Sequence, residues 1–308
     1  LLTIAKILNE IDGRNKDIFI KNEGTNKEYT GENSRLINEF NEIKFTDPEK
    51  SILNLYNWYK NESKLIFDKN IFDKWIKNWF KYFMNLLEKK MFDVLKNLRD
   101  NYGVVAVKAE FEAEGTRIDE LMRLIEIVRK LNLKLGIKIG GCEAMKDLME
   151  CKQLGTDYII APMVETDYAL KKFIEAKNKI FDNEERKYTD FLINIETKTS
   201  KENLHKIISI NKEYKKNEQI NGWVFGRVDF TMSSGLNRDD INDSDEITNS
   251  VIDVAKESKT HDMAFVVGGA VSIDAYDILK KVRDVKLDRF ETRKIIFSSD
   301  ALDIKNLK

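Results

Sequence analysis

From Gly103 onward the chain alternates two kinds of hydrophobic pattern. Short apolar or alternating runs at 104–112, 134–140, 158–163, 191–196, 223–229, 264–268 and 294–298 read as strands. Between them, segments 117–131, 143–154, 166–176, 201–211, 246–258 and 273–282 carry apolar residues at helical spacing. Strand–helix alternation of this kind predicts a parallel sheet covered by helices. The fold class is therefore α/β, and a (β/α)8 barrel is the reading preferred here, with a doubly wound open sheet as the alternative. Seven strands are visible where a closed barrel wants eight. The weak run 17–21 is one place for the missing strand.

Residues 1–102 have a different texture, rich in Asn, Lys, Phe and Trp, and predict a helical N-terminal region ahead of a barrel domain at 103–308. In 72–83 the apolar positions Phe72, Trp75, Ile76, Trp79, Phe80 and Phe83 recur at the helical period, with Lys on the other face. This pattern predicts a core helix or a subunit contact.

Within the strand runs, alternation separates two faces. One carries Val105, Val107, Ala109 and Phe111, then Leu135, Ile137 and Ile139, then Phe191, Ile193 and Ile195. These residues suit packing against helices. The opposite faces become charged toward the strand ends: Glu110 and Glu112, Lys138, Glu196, and Arg227 with Asp229, which share a face of the fifth strand. Burying such groups is costly unless they pair or hold a metal. Barrels of this class carry their sites at the C-terminal strand ends, so the convergence marks either an active site or an internal ion-pair network.

Composition narrows the field. The 308 residues are 42% apolar, enough for a sizeable core, and the formal net charge of −1 gives no basic field for nucleic acid. No apolar run reaches the length that spans a bilayer, and residues 1–6 lack the build of a signal peptide, so a cytoplasmic protein without membrane contact is expected. Cys142 and Cys151 lie nine apart with no metal-type spacing, and neither His205 nor His261 is expected to be a ligand. Gly140-Gly141 and Gly268-Gly269 read as tight strand-to-helix turns, 237–245 as a solvated loop or lid, and Arg293 as the partner of a carboxylate at the barrel bottom.

Three segments carry a resemblance. Ile160-Ala161-Pro162-Met163-Val164-Glu165-Thr166, Ile193-Asn194-Ile195-Glu196-Thr197-Lys198-Thr199 and Phe225-Gly226-Arg227-Val228-Asp229-Phe230-Thr231 resemble, in order, successive strand ends of the HpcH/HpaI aldolase and citrate lyase β-subunit superfamily. Lys108-Ala109-Glu110-Phe111-Glu112 looks like its early acidic strand end. The resemblance covers about 103–302 and implies a barrel of the phosphoenolpyruvate/pyruvate-binding type.

It also implies a Mg2+ or Mn2+ ion on Glu196 and Asp229, chelating a 2-keto acid such as pyruvate or oxaloacetate and favouring its enolate. Substrate contacts would fall at Pro162, Gly226, Val228 and Phe230, with backbone amides of Arg227 to Phe230 toward the keto-acid carboxylate. The sequence departs from the family at two points: Lys138 stands where an Arg is common, and no His occupies the early acidic strand end, leaving Glu110, Glu112 or Glu114 as candidate bases. Lys138 and Arg227 would balance negative charge. A carbon–carbon lyase or aldolase acting on a small keto acid, assembled as a homo-oligomer, is the leading expectation. An acyl- or phospho-transfer enzyme on the same platform, or a non-catalytic barrel with a partner-binding N-terminal region, are the alternatives.

Overall fold

The computed structural model describes residues 84–305 and 307, together with Glu10, residues 50–54 and Asn57. The runs 17–21 and 72–83 lie outside the described residues. The chain divides into two compact units, Leu1–Phe83 and Met84–Lys308. The second is an eight-stranded closed barrel.

It opens with helix α1 (Leu86–Tyr102). Asn85 and Glu88 cap its start reciprocally, each side chain accepting from the other's backbone N–H at 2.9 Å. Gly103 ends it in the left-handed region, φ 71°, where a Cβ would also stand 2.9 Å from Cβ of Ala301. The turn therefore needs glycine twice over.

Then follow β1 (Val104–Glu110), α2 (Ile118–Lys130), β2 (Lys134–Lys138), α3 (Met145–Leu154), β3 (Tyr158–Ala161), α4 (Asp167–Ile180) and β4 (Asp190–Ile195). The chain continues through α5 (Lys198–Glu202), α6 (Leu204–Glu213), β5 (Gly222–Gly226), α7 (Arg227–Ser233), α8 (Asp245–Thr260), β6 (Ala264–Gly268), α9 (Tyr276–Arg283), β7 (Arg289–Glu291) and β8 (Ile295–Ser298).

Strands β1 to β7 pair in parallel, each with its successor. β8 runs the other way and closes the barrel antiparallel to both β7 and β1. The strand that seven sequence runs left unaccounted for is thus Arg289–Glu291, joined to β8 by a short turn. Residues 201–211, expected as one helix, fall partly in α5 and partly in α6, which meet at Asn203.

The face assignment holds except at Val105, which packs with the inner core because the β1 register against β8 shifts between Val104 and Ala106. Val107, Ala109, Leu135, Ile137, Ile139, Phe191, Ile193 and Ile195 belong to the large core between sheet and helices. Ala106, Tyr158, Ile160, Leu192, Val224, Val266 and Ile296 form a separate, smaller core inside the barrel. This inner plug fills the lumen, and charged side chains take over above it at the C-terminal strand ends. None of the described helices is long and apolar enough to cross a membrane.

Candidate active site

Glu196 follows β4 and is 2% exposed. Its Oε1 accepts the backbone N–H of Met163 at 2.9 Å, and its Oε2 accepts the Asn194 side-chain amide at 2.6 Å. Met163 donates from a left-handed backbone, φ 50°, uncommon for a residue with a side chain. The Glu196 side chain lies over Gly226 at the end of β5, where a Cβ would stand 2.8 Å from the Cβ of Glu196. Lys138 Nζ, from β2, sits 3.6 Å from Glu196 Oε2 and 2.7 Å from Glu112 Oε2.

Burial pushes the Glu196 carboxyl upward; Lys138 and the two N–H donors work against that, Asp229 adds to it, and the net direction is up. For Lys138, burial opposes the charge, but Glu196 and Glu112 outweigh it and hold the ammonium above its ordinary range. Lys138 is therefore a fixed cation.

The fifth strand ends at Gly226, short of the predicted end at Asp229, and Arg227–Ser233 is a helix. Arg227 and Asp229 consequently do not share a strand face. Asp229 is exposed on the first turn of α7, where a carboxylate suits the helix dipole, and it makes no hydrogen bond or ion pair among the described residues. Arg227 is fully buried, and its Nη2 donates to the Ile241 carbonyl at 3.1 Å and to the Asn242 side chain. Its guanidinium is thus committed to the 237–244 segment, not to a carboxylate of the mouth. Burial without an anion lowers its pKa to about 10.

Among the residues singled out for substrate, Pro162 is buried just beyond β3, and Gly226 and Val228 are half-buried at the β5–α7 junction. The Phe230 ring packs on Phe225 with centroids 4.8 Å apart, in the core between sheet and helices, so only its backbone faces the question of substrate.

Three further groups complete the mouth. Asn194, noted for its face alone, holds Glu196. Lys108 Nζ meets Glu291 Oε1 at 2.5 Å and Glu110 Oε1 at 3.3 Å. Glu291 escaped the sequence reading because its strand is three residues long, too short for a period to register. Arg293, expected at the barrel bottom, lies in the β7–β8 turn at the same end as the site and pairs with Glu114, as does Lys294. The direction of β7, parallel to β6, sets that turn at the C-terminal end. An apolar groove of about 770 Å3 runs along the outside of the barrel, lined by Met91, Leu95, Leu98, Leu121 and Leu124, away from Glu196 and Asp229. Chemistry, not size, selects the mouth.

As a cation site the donor set is small. Among the described residues no group of three or more His, Cys, Asp or Glu side chains is arranged to hold a metal. Glu196 and Asp229 still fit a hard divalent ion that keeps most of its water. Each Glu196 oxygen accepts one N–H and retains a lone pair, and Asp229 is uncommitted.

An eight-stranded α/β barrel with converging carboxylates and lysines at its C-terminal strand ends has the layout of the (β/α)8 class, whose sites lie at that end. The family model for HpcH/HpaI aldolase/citrate lyase matches residues 104–286, and the chain belongs to that family. It is accordingly aldolase- and citrate-lyase-like. Solved structures share the fold, among them the following two. An HpcH/HpaI aldolase from Desulfitobacterium hafniense DCB-2 superposes with a TM-score of 0.50 at 10% identity, covering 64% of this chain and 89% of its own. The citrate synthase SbnG superposes with a TM-score of 0.51 at 15% identity, covering 66% of this chain and 80% of its own. No curated protein matches the sequence.

Proposed function

We propose that this chain is a divalent-metal-dependent carbon–carbon lyase, or the reverse aldol synthase, acting on a 2-keto acid of the pyruvate or oxaloacetate type. The observation that carries the reading is the buried Glu196, fixed from two sides by Met163 N–H and Asn194, beside the uncommitted Asp229 at the start of α7. Glu196 and Asp229 would hold Mg2+ or Mn2+, which supplies Lewis-acid polarisation of the keto-acid oxygens.

The protein's own groups do the rest. Lys138 places a permanent positive charge beside Glu196, where negative charge grows as the C–C bond breaks. The backbone N–H groups at the start of α7 have no side-chain cap and suit the keto-acid carboxylate. Glu110 and Glu112, at and just beyond the end of β1, are the carboxylates available to take a proton from the second reactant or return one to carbon.

The test is calorimetric titration of chelator-stripped protein with Mg2+ or Mn2+, with and without pyruvate and oxaloacetate, beside Asp229→Ala. Metal-dependent keto-acid binding that disappears in the variant supports the reading. An intact protein that binds no metal overturns it.

A further inference from the structure

A second charged cluster stands in the same barrel mouth, on β7 and β1, away from the β4–β5 edge where Glu196 and Asp229 lie. Glu291 is the last residue of β7, and its ladder partner across the sheet is Ile296, a member of the inner core. Its side chain therefore enters the lumen. Gly268 makes the room: a Cβ there would stand 2.8 Å from Glu291 Oε1 and 2.9 Å from its Cγ. Gly226 does the same for Glu196, and the two glycines are register partners. Two carboxylates thus reach the lumen over one pair of glycines.

Glu291 is 4% exposed, and Lys108 binds its Oε1. Its Oε2 is buried with no hydrogen-bond partner among the described residues. A buried carboxylate oxygen without a donor is unfavourable, so a ligand bringing an O–H or N–H to that atom gains what the free protein lacks. Charge points the same way. The two lysines that reach the mouth from barrel strands are each shared by two carboxylates, Lys108 by Glu110 and Glu291, Lys138 by Glu112 and Glu196. Neither is left to neutralise a second anion beyond the keto acid, and the two cations of the β7–β8 turn, Arg293 and Lys294, are both drawn to Glu114 on side chains 77% and 49% exposed, where water screens them from a further anion.

We infer that the second reactant of the site is a neutral or cationic carbonyl compound whose hydroxyl or amine donates to Glu291 Oε2, and that the site discriminates against reactants bearing a further carboxylate or phosphate. This rests on the lyase reading above. In the synthetic direction C3 of the keto acid loses a proton and bonds to the carbonyl carbon, whose oxygen gains a proton, so no oxidant or reductant is required.

The experiment uses the full chain with Mg2+ and pyruvate. Deuterium exchange at the pyruvate methyl group, followed by NMR with no second reactant, reports the lyase platform by itself. Aldol addition is then measured with glycolaldehyde and aminoacetaldehyde, and with glyoxylate and succinic semialdehyde. The expected result is a kcat/KM about tenfold or more higher for a hydroxyl or amine probe than for either acid. Glu291→Gln should lose most of that preference, through KM, because Lys108 holds the amide oxygen at the Oε1 position and leaves an N–H donor where Oε2 accepted. Glu291→Asp, which keeps the charge but withdraws the carboxylate by one methylene, should weaken the preference less, and it keeps the test alive if Glu291→Gln fails to fold. Equal or better use of the acids, or an unchanged preference in both folded variants, overturns the inference. Exchange without addition to either donor-bearing probe overturns it and leaves the lyase reading standing; absence of exchange and of addition overturns both.

Discussion

Lys138 Nζ lies 3.6 Å from Glu196 Oε2, reaching past β3 to join the ends of β2 and β4. The pair is almost sealed from solvent, with side chains 13% and 2% exposed, so little water screens it. Lys138 thereby competes for the carboxylate that would hold a metal, while supplying a charge that favours an anionic reacting centre. These two roles have opposite signs when the lysine is removed. Lys138→Met should tighten Mg2+ binding roughly several-fold, because the rival cation is gone, and lower turnover by about tenfold or more, as loss of a partner to a ligating group commonly does. Calorimetry and steady-state kinetics on the one variant separate this from general damage to the site, which would weaken both.

Gly226 carries no side chain because Glu196 occupies that space. An added Cβ would meet the Glu196 Cβ at 2.8 Å and its Oε2 at 3.1 Å, and the Cβ of Glu196, just beyond the neighbouring strand, is not a flexible end that can swing aside. Gly226→Ala should cost about 1–3 kcal/mol of stability by overpacking and displace Glu196, with loss of metal affinity. Gly141→Ala is the comparison, since nothing lies within 4 Å of its built Cβ. Thermal melts and Mg2+ titration of the two variants should differ clearly. Equal behaviour would show that Glu196 has room to move.

Much of this architecture is legible in the sequence because burial on one side of a strand leaves a period of two. Leu135, Ile137 and Ile139 against Gly136 and Lys138 announce which face meets the helices and which meets the lumen. The segment 223–229 misleads for the same reason. Arg227, Val228, Asp229 and Phe230 continue the polar–apolar alternation of a strand, yet the chain turns helical after Gly226, where Glu196, thirty residues earlier, lies across the glycine, a contact that no local pattern announces. The partner choices are harder still. That Lys108 serves Glu291, 183 residues away, follows from closing the barrel with a reversed β8, which no local pattern encodes.

Arg227 offers a direct check on that correction. Its Nε and Nη1 are buried without partners among the described residues, while Nη2 fastens Ile241 and Asn242 to the start of α7. Arg227→Met removes both the fastening and a guanidinium held in an apolar site. The lost bonds and the relieved desolvation oppose each other, so the net stability change should stay within about 2 kcal/mol. Amide hydrogen exchange over 240–244 should accelerate, with Mg2+ affinity kept within a few-fold of the parent. Loss of metal binding comparable to that of Asp229→Ala would instead return Arg227 to the site.

Lys177 gives the protein a pH dependence of stability that has nothing to do with the mouth. It sits on α4, fully buried, with Nζ 5.0 Å from the centre of the Phe191 ring and donating to Asn178 Oδ1 at 2.9 Å. Burial, aided by the nearby Arg186 charge and opposed by Glu218, lowers its pKa from 10.5 to about 7. Between those two values the unfolded chain binds a proton that the folded chain does not, so this group makes stability rise with pH from about 7 to 10.5 and leaves it level below. Lys177→Met abolishes the effect. The variant should be more stable than the parent by a few kcal/mol at pH 7, and its lead should shrink by about 1.4 kcal/mol per pH unit on going alkaline. Urea unfolding at pH 7, 8 and 9 measures this, and the comparison cancels every other titrating group the two proteins share. Parallel curves over that window would mean that Lys177 keeps its proton in the fold, stabilised by the Phe191 ring and Asn178 strongly enough to offset burial.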